Sequence, residues 1–361
     1  MVTVTINGLR LTVSEGMTIL QVARQSGITI PTLCDHPRLT PYGGCRLCVV
    51  EVRGERLPQT ACTRLAEDGM VVRTETAAIV AARRLVLQLL LETHADQGYA
   101  AGDKTETEFT HWLERYGVTP AEETAPRYPV NSDPNPFVWM DLNKCILCMR
   151  CIRACAEVQG RYVWGVRGRG LDMRIAAGAD TTMLEARCES CGACVTFCPT
   201  GALDDKMSVG LGRPDRIVTT TCGYCGVGCN FDLYVKSNRI IRVAANAAAP
   251  VNGLSLCVKG HYGYDYVHHP DRLTRPKVRQ YLLEGQGKRE AGQPRGPWVE
   301  VDWDTALNIT ARKLRAARDT YGADSVAVLT SAKCTNEENY LMNKFARQVV
   351  GTNGIDHCAR L

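Results

Sequence analysis

Eighteen cysteines in a chain of 361 residues constrain this protein more than any other feature. So many thiols form either a disulfide framework or a metal framework. A disulfide framework goes with a secreted chain and a leader peptide. The sequence is read as having neither a secretory nor a twin-arginine leader, because Met1 runs straight into the alternating segment Val2–Ile6. The longest apolar stretch, near Ala77 to Leu91, is interrupted by Arg83 and Arg84, so no membrane span is expected. A cytoplasmic location, where thiols stay reduced, is therefore expected. A formal charge of +5 is modest for this length and argues against a dedicated nucleic-acid binder.

The chain reads as several α+β domains in succession. Residues 1–76 form a small β-rich unit. Strands Val2–Ile6 and Leu9–Val13 are joined by Asn7-Gly8, a two-residue hairpin signal. A short helix over Thr18–Gln25 stops at Gly27, and strands follow at Val49–Val52 and Met70–Arg73. Residues 77–136 hold helices over 77–93 and 105–116 and a linker over 118–136 that contains five prolines. Residues 137–210 carry two cysteine runs separated by a Gly/Arg-rich insertion, Gly160–Gly178. Its Arg161, Arg167, Arg169 and Arg174 are read as the face of a solvated hairpin. Residues 215–272 contain a hairpin, Phe231–Val235 and Arg239–Val243, turning at Ser237-Asn238.

Residues 273–361 read as the start of an α/β domain. A strand at Trp298–Val301 precedes a helix over 303–321, capped near Asp302 or Asp304, with Leu307, Ala311, Leu314 and Tyr321 on one face. A strand at Ser325–Leu329 leads to a second helix opened by Thr335 and Glu338 as a capping box. Leu341, Met342, Phe345 and Val349 form its apolar face, and Gly351 ends it. Both faces are expected to be core.

Four groups take sixteen of the cysteines. The first is Cys34-x10-Cys45-x2-Cys48-x13-Cys62. Two cysteines on the tight loop Gly43–Cys48 can grip one iron and the two outlying ones a second, with the glycines letting backbone N–H groups approach the sulfur. Zinc usually takes two close pairs, and only one pair is close here, so a [2Fe–2S] cluster is the preferred reading.

The second and third groups are Cys145-x2-Cys148-x2-Cys151-x3-Cys155 and Cys188-x2-Cys191-x2-Cys194-x3-Cys198-Pro199. This is the run of a bacterial two-cluster ferredoxin, in which the fourth cysteine of each run ligates the other cluster. Cys145, Cys148, Cys151 and Cys198 are thus expected to hold one [4Fe–4S] cluster. Cys188, Cys191, Cys194 and Cys155 would hold another. Spacing alone also allows two adjacent zinc sites, which the paired repeat disfavours. The fourth group is Cys222-x2-Cys225-x3-Cys229-x27-Cys257, followed by Val258-Lys259-Gly260.

The first group resembles the [2Fe–2S] domain at the front of complex I large subunits and related dehydrogenases; the fold this implies is a β-grasp ferredoxin-like domain. The run Thr221–Cys229 resembles the entry to the molybdopterin oxidoreductase family, where it binds a [4Fe–4S] cluster beside a bis-molybdopterin guanine dinucleotide carrying Mo or W. Lys259 matches the lysine that the family places between cluster and pterin. The segments Thr330–Tyr340 and Gly351–Arg360 resemble the formate dehydrogenase catalytic subunit, and Lys333 falls where that family has a basic residue near the pterin. The resemblance covers essentially the whole chain. It implies one [2Fe–2S] and three [4Fe–4S] clusters passing electrons to a partner, such as an NADH-oxidising flavoprotein subunit, a hydrogenase or a ferredoxin. The rival reading is a non-catalytic electron-transfer subunit like the complex I large subunit. Cys334 and Cys358, the two left over, are read as buried structural thiols.

Two departures are expected to matter. Many relatives bind a further [4Fe–4S] cluster through a histidine and three cysteines. Here His94 holds the histidine position, but Gly98, Ala101 and Thr107 stand where the cysteines would be. That cluster is expected to be absent, and His94 to be a helix-end or surface histidine. Second, the family's metal ligand, a selenocysteine or cysteine, directly follows the segment that ends here in Cys358-Ala359-Arg360-Leu361. No catalytic residue is therefore assigned, and the end at Leu361 is read as an in-frame UGA, so the fragment as given is expected not to catalyse.

Overall fold

The computed structural model describes residues 1–284 and 296–358. The segment Ala359–Leu361 lies outside the described residues. The chain divides into two compact units. The first comprises Met1–Val218, Asp232–Ala248 and Asn252–Tyr262. The second comprises Thr219–Phe231, Ala249–Val251 and the residues from Gly263 onward. Together they make a multi-domain α+β protein with several small sheets.

The first unit opens with Val2–Ile6 and Leu9–Val13 paired antiparallel. Asn7 and Gly8 both take positive φ, 52° and 87°, which is the twist a two-residue hairpin requires. The Asn7 side chain also exchanges two hydrogen bonds with Thr74 at 2.7 and 2.9 Å. This pins the hairpin to Val71–Arg73, with which Val2–Ile6 pairs in parallel. Val49–Val52 and Gln59–Thr60 complete a five-stranded sheet. Helix Ile19–Gln25, opened by a Thr18–Gln21 capping box, lays Ile19, Leu20, Val22 and Ala23 on Val4, Ile6, Val50 and Val72. Cys48 and Cys62 are part of that core.

Helix Ala77–Leu91 is capped by Thr76 and packs Leu87 and Leu91 against Phe109 and Tyr116 of helix Glu108–Tyr116. Arg83 is fully buried in it, its Nη atoms held by Glu75 (2.7 Å), the Tyr116 hydroxyl (2.9 Å) and the Val49 carbonyl (2.9 Å). No described helix is long and apolar enough to cross a membrane.

Residues 118–136 contain no helix or strand, as proline density predicts, but the end of the segment is not a free linker. Asn135 is wholly buried and bonds the Ser190 hydroxyl at 2.9 Å, and Asp133 accepts from the Met183 N–H at 2.9 Å. Strands Val138–Met140 and Leu203–Asp205 then pair antiparallel, bringing together the two ends of the doubled cysteine region. Between them lie two short helices, Arg150–Arg153 (continued by a π turn, Ala154–Val158) and Ala193–Thr196. The Gly/Arg-rich insertion is a hairpin, Trp164–Arg167 with Arg174–Ala177. Arg161 pairs with Glu189, and Arg167 and Arg174 pair with Asp180, on the exposed surface.

In the second unit, Asp302 caps helix Trp303–Tyr321. Thr335 and Glu338 form the expected capping box on helix Asn336–Lys344, which runs through a π turn to Gly351 at φ 86°. The strand expected at Ser325–Leu329 lies instead at Val328–Ser331. The Ser325 hydroxyl bonds back to the Gly322 carbonyl at 2.7 Å, so the chain stays turned through Ala323–Ser325. Val328–Ser331 pairs in parallel with Ile355–Cys358, the outer strands of a βαβ unit. The two apolar helix faces are not core. Leu307, Ala311, Tyr321, Leu341, Met342 and Val349 are exposed, and Leu314 and Phe345 are only half-buried. Among the described residues this sheet has two strands, too little area to cover either helix face.

Candidate metal centres

Backbone geometry at the first site is set by Gly43 and Arg46, at φ 71° and 60°, on the loop that carries Cys45 and Cys48. A Cβ on Gly43 would lie 3.0 Å from the Thr63 methyl, so the loop closes against the residue after Cys62. Cys34, Cys48 and Cys62 are buried and Cys45 is half-buried. The Cys34 sulfur is within hydrogen-bonding reach of the Cys45 and Cys62 thiols, and Cys62 also meets Cys48. The Cys45 N–H reaches the Cys34 sulfur at 3.5 Å. These donors hold Cys34 far below the usual thiol range. The same pairing, with burial, holds Cys45 and Cys62 far above it.

The two ferredoxin-like runs are built alike. Leu147 and Met149 sit at φ 52° and 60° in the first, Ser190 and Gly192 at 52° and 77° in the second, at equivalent places between the cysteines. Left-handed residues at non-glycine positions are strained. Here they turn N–H groups inward: Leu147 toward the Cys145 sulfur, Arg150 toward Cys148, Ser190 toward Cys188 at 3.3 Å and Ala193 toward Cys191. Val163 donates to the Cys155 sulfur, also at 3.3 Å.

The runs cross. Cys145, Cys148 and Cys151 each lie in the electrostatic field of Cys198. Cys188, Cys191 and Cys194 each lie in that of Cys155. Burial pushes the Cys145 and Cys148 thiols up to about 12, and Cys151 and Cys194 well above the normal range. Thiolates in so dry a place require an adjacent positive centre. Among the described residues, all cysteines are free. Among the described residues, no three His, Cys, Asp or Glu side chains gather around a point that one metal ion could occupy. Four inward sulfurs with N–H donors around them fit a multi-iron cage better than one zinc ion.

The fourth group lies in two parts. In the second unit, Cys222 is buried and Cys225 and Cys229 are half-buried on a turn closed by the Cys222 N–H to the Cys229 carbonyl at 2.7 Å. Asn336 donates to the Gly226 carbonyl at 2.8 Å, and a Cβ on Gly226 would lie 2.7 Å from the Asn336 side-chain oxygen. In the first unit, Cys257 is exposed and its sulfur accepts from the Gly260 N–H at 3.5 Å. Lys259 is exposed on helix Val258–Tyr262. Lys333 is exposed in the second unit, with its N–H on the Ser331 hydroxyl at 3.0 Å.

Cys334 is half-buried and Cys358 is exposed, 3.1 Å from the Ser331 hydroxyl, so neither is the buried thiol expected. The reason is the one that leaves the helix faces bare: among the described residues, Ile355–Cys358 is an outer strand of a two-stranded sheet. His94 follows the end of helix Ala77–Leu91, with its ring 5.0 Å from that of Phe109 and its pKa lowered by burial. Thr107 caps helix Glu108–Tyr116, and the Ala101 N–H is held by Asp204 at 2.9 Å.

Residues other than the cysteines join these sites, and sequence reading missed them. Arg150 bonds the Asp35 carbonyl at 2.6 Å, and Arg153 bonds the Cys34 carbonyl. His261 and Tyr262 stack 4.3 Å apart, and Tyr262 stacks on Phe137. The only sequence signal for the arginines is their position on either side of Cys151.

Comparison with known proteins follows the same order along the chain. Residues 1–77 match the 2Fe-2S iron-sulfur cluster binding domain. Residues 135–204 match the ferredoxin-like domain of NADH-quinone oxidoreductase subunit 3. Residues 215–269 match the molybdopterin oxidoreductase Fe4S4 domain, and 272–361 molybdopterin oxidoreductase. The alpha subunit of an NADPH-Fe(3+) oxidoreductase of Geobacter sulfurreducens is 35% identical over 100% of this chain and 40% of its own length. A Staphylococcus aureus protein provisionally named formate dehydrogenase is 29% identical over 99% of this chain and 39% of its own. The chain thus spans about two fifths of the length of these relatives. A chain in the crystal structure of an NAD+-reducing [NiFe]-hydrogenase superposes with a TM-score of 0.50 at 27% identity, covering 58% of this chain and 89% of that one. With iron–sulfur domains and the opening of a molybdopterin domain in unbroken succession, this chain is similar along its length to the front part of molybdopterin oxidoreductase family proteins.

Proposed function

We propose that this chain is the electron-transfer portion of a formate dehydrogenase catalytic subunit. The observation that carries the reading is that, in the ferredoxin-like domain, each set of three cysteines has the fourth cysteine of the other run near it. Such sets suit one-electron carriers placed side by side. Cys34, Cys45, Cys48 and Cys62 would hold a [2Fe–2S] cluster. Cys145, Cys148, Cys151 and Cys198 would hold one [4Fe–4S] cluster, and Cys188, Cys191, Cys194 and Cys155 a second. Cys222, Cys225, Cys229 and Cys257 would hold a third, with Lys259 and Lys333 facing the pterin.

When bound, a bis-molybdopterin guanine dinucleotide with Mo or W supplies a centre that takes the electron pair of formate oxidation, and the clusters accept those electrons one at a time. The order of passage in this reading is from the Cys222 group, through the two ferredoxin-like groups, to the Cys34 group. There an NADH-oxidising flavoprotein subunit, a hydrogenase or a ferredoxin would take over. The hydrogenase likeness supports such a partner, and the Staphylococcus aureus relative supports formate.

The test is anaerobic purification of the full gene product, iron analysis and formate-dependent dye reduction. About fourteen irons per chain are expected for this cluster set, together with dye reduction by formate. Full iron without formate activity would favour a non-catalytic electron-transfer subunit. Iron-free protein with its thiols oxidised in pairs overturns the whole reading.

A further inference from the structure

Arg150 lies between Cys148 and Cys151 and turns away from solvent, with a side chain 2% exposed. Its Nη2 donates to the carbonyl of Asp35, the residue after Cys34, at 2.6 Å. The guanidinium forks onto Glu108 at 2.7 and 2.9 Å, and Nε has no partner. Around it, Cys45 and Cys148 pack into one apolar cluster with Leu47 and Ile146. A full positive charge thus sits in a dry seam between two cysteine loops.

We propose that Arg150 is a charge shared by two iron–sulfur sites, lodged between the Cys34/Cys45 loop and the Cys145/Cys148 loop, where it raises the midpoint potentials of both clusters. This deepens the cluster reading above and rests on it.

Reduction adds one electron, and so one negative charge, to a cluster. A fixed cation nearby stabilises the reduced form, and low dielectric leaves that attraction weakly screened. The Arg150 charge acts on Cys148 and Cys45 alike. Passage between the two sites oxidises one cluster by one electron and reduces the other by one, with no bond or proton moved. Glu108 opposes the effect, but its side chain is 49% exposed, so water screens it more than the arginine. The two residues therefore act with opposite signs on the same pair of clusters.

The experiment is an EPR-monitored redox titration of the anaerobic, iron-loaded full chain, comparing wild type with Arg150→Met, Arg150→Lys and Glu108→Gln. Arg150→Met is expected to lower the midpoints of the [2Fe–2S] cluster and of one cubane while the other cubanes stay put. Arg150→Lys should restore most of the difference, and Glu108→Gln should raise the same two midpoints. A purely structural clamp would not give shifts of opposite sign. Unmoved midpoints, a uniform shift of all clusters, or a downward shift in Glu108→Gln overturn the proposal while leaving the clusters standing. If Arg150→Met does not fold, the sign of the Glu108→Gln shift decides alone. A wild type without iron overturns the cluster reading, and this proposal with it.

Discussion

The Nδ1 of His261 lies 3.3 Å from the carbonyl oxygen of Cys191. A carbonyl can only accept, so Nδ1 carries the proton. Burial holds the ring's pKa down to about 3, which keeps it neutral. His261 is one helical turn past Cys257, whose carbonyl accepts its N–H at 3.0 Å. One residue therefore connects the turn that begins at Cys257 to the loop that carries Cys188, Cys191 and Cys194.

That seat requires Gly192. It sits at φ 77°, and a Cβ there would lie 2.2 Å from the His261 Nδ1 and 2.8 Å from the Tyr262 hydroxyl. Gly192→Ala is expected to destabilise far more than Gly54→Ala. Gly54 also has positive φ but meets nothing within 4 Å, so only the backbone cost of about 1–2 kcal/mol applies there. Thermal melting of the two variants under anaerobic conditions checks this; equal losses would show that the ring contact is slack.

Arg242 and Asp204 form a buried pair at 3.0 Å, with side chains 4% and 1% exposed. Arg242→Met strands a carboxylate in the interior and should cost about 3–5 kcal/mol. Asp204 would still hold the Ala101 N–H. Urea unfolding of the variant gives the number, and a loss under about 1 kcal/mol would mean that water reaches Asp204.

Asp205 predicts a pH dependence. Burial pushes its carboxyl up to about 6 from the ordinary 3.8, and one oxygen has no partner. Between those values the folded chain keeps a proton that the unfolded chain has released. Its contribution is full below about pH 4 and is lost as pH rises through about 6. Relative to Asp205→Asn, the wild type should lose melting temperature across that window. A constant difference between the two would refute the shift.

The crossed thiols predict a crossed loss. Cys198→Ser should abolish the cubane of Cys145, Cys148 and Cys151 and spare that of Cys188, Cys191 and Cys194. Cys155→Ser should do the reverse. EPR of the reduced variants, with iron counts, distinguishes them; loss of the local cubane in each case would mean that the runs do not cross.

Much was legible from residue order because the governing signals are local. Asn7-Gly8 and Ser237-Asn238 dictate hairpins wherever they stand between alternating strands, and both take positive φ here. Thr18, Asp302 and Thr335 cap the helices they precede, since a side-chain oxygen needs only a free N–H two or three residues on. The cysteine spacings are local in the same way. Periodicity misled for Leu307, Leu341 and Val349, because an apolar stripe states what a helix needs to bury and not whether a neighbour is there to bury it.

The sequence by itself determined the donor atoms: which sulfurs exist, how far apart along the chain, and on which turns. Only the tertiary structure decided what stands between the sites. Arg150 meets Asp35 across 115 residues and His261 meets Cys191 across 70. Arginine and histidine carry no spacing signature, and their roles arise from removal from water beside groups that distant parts of the chain supply.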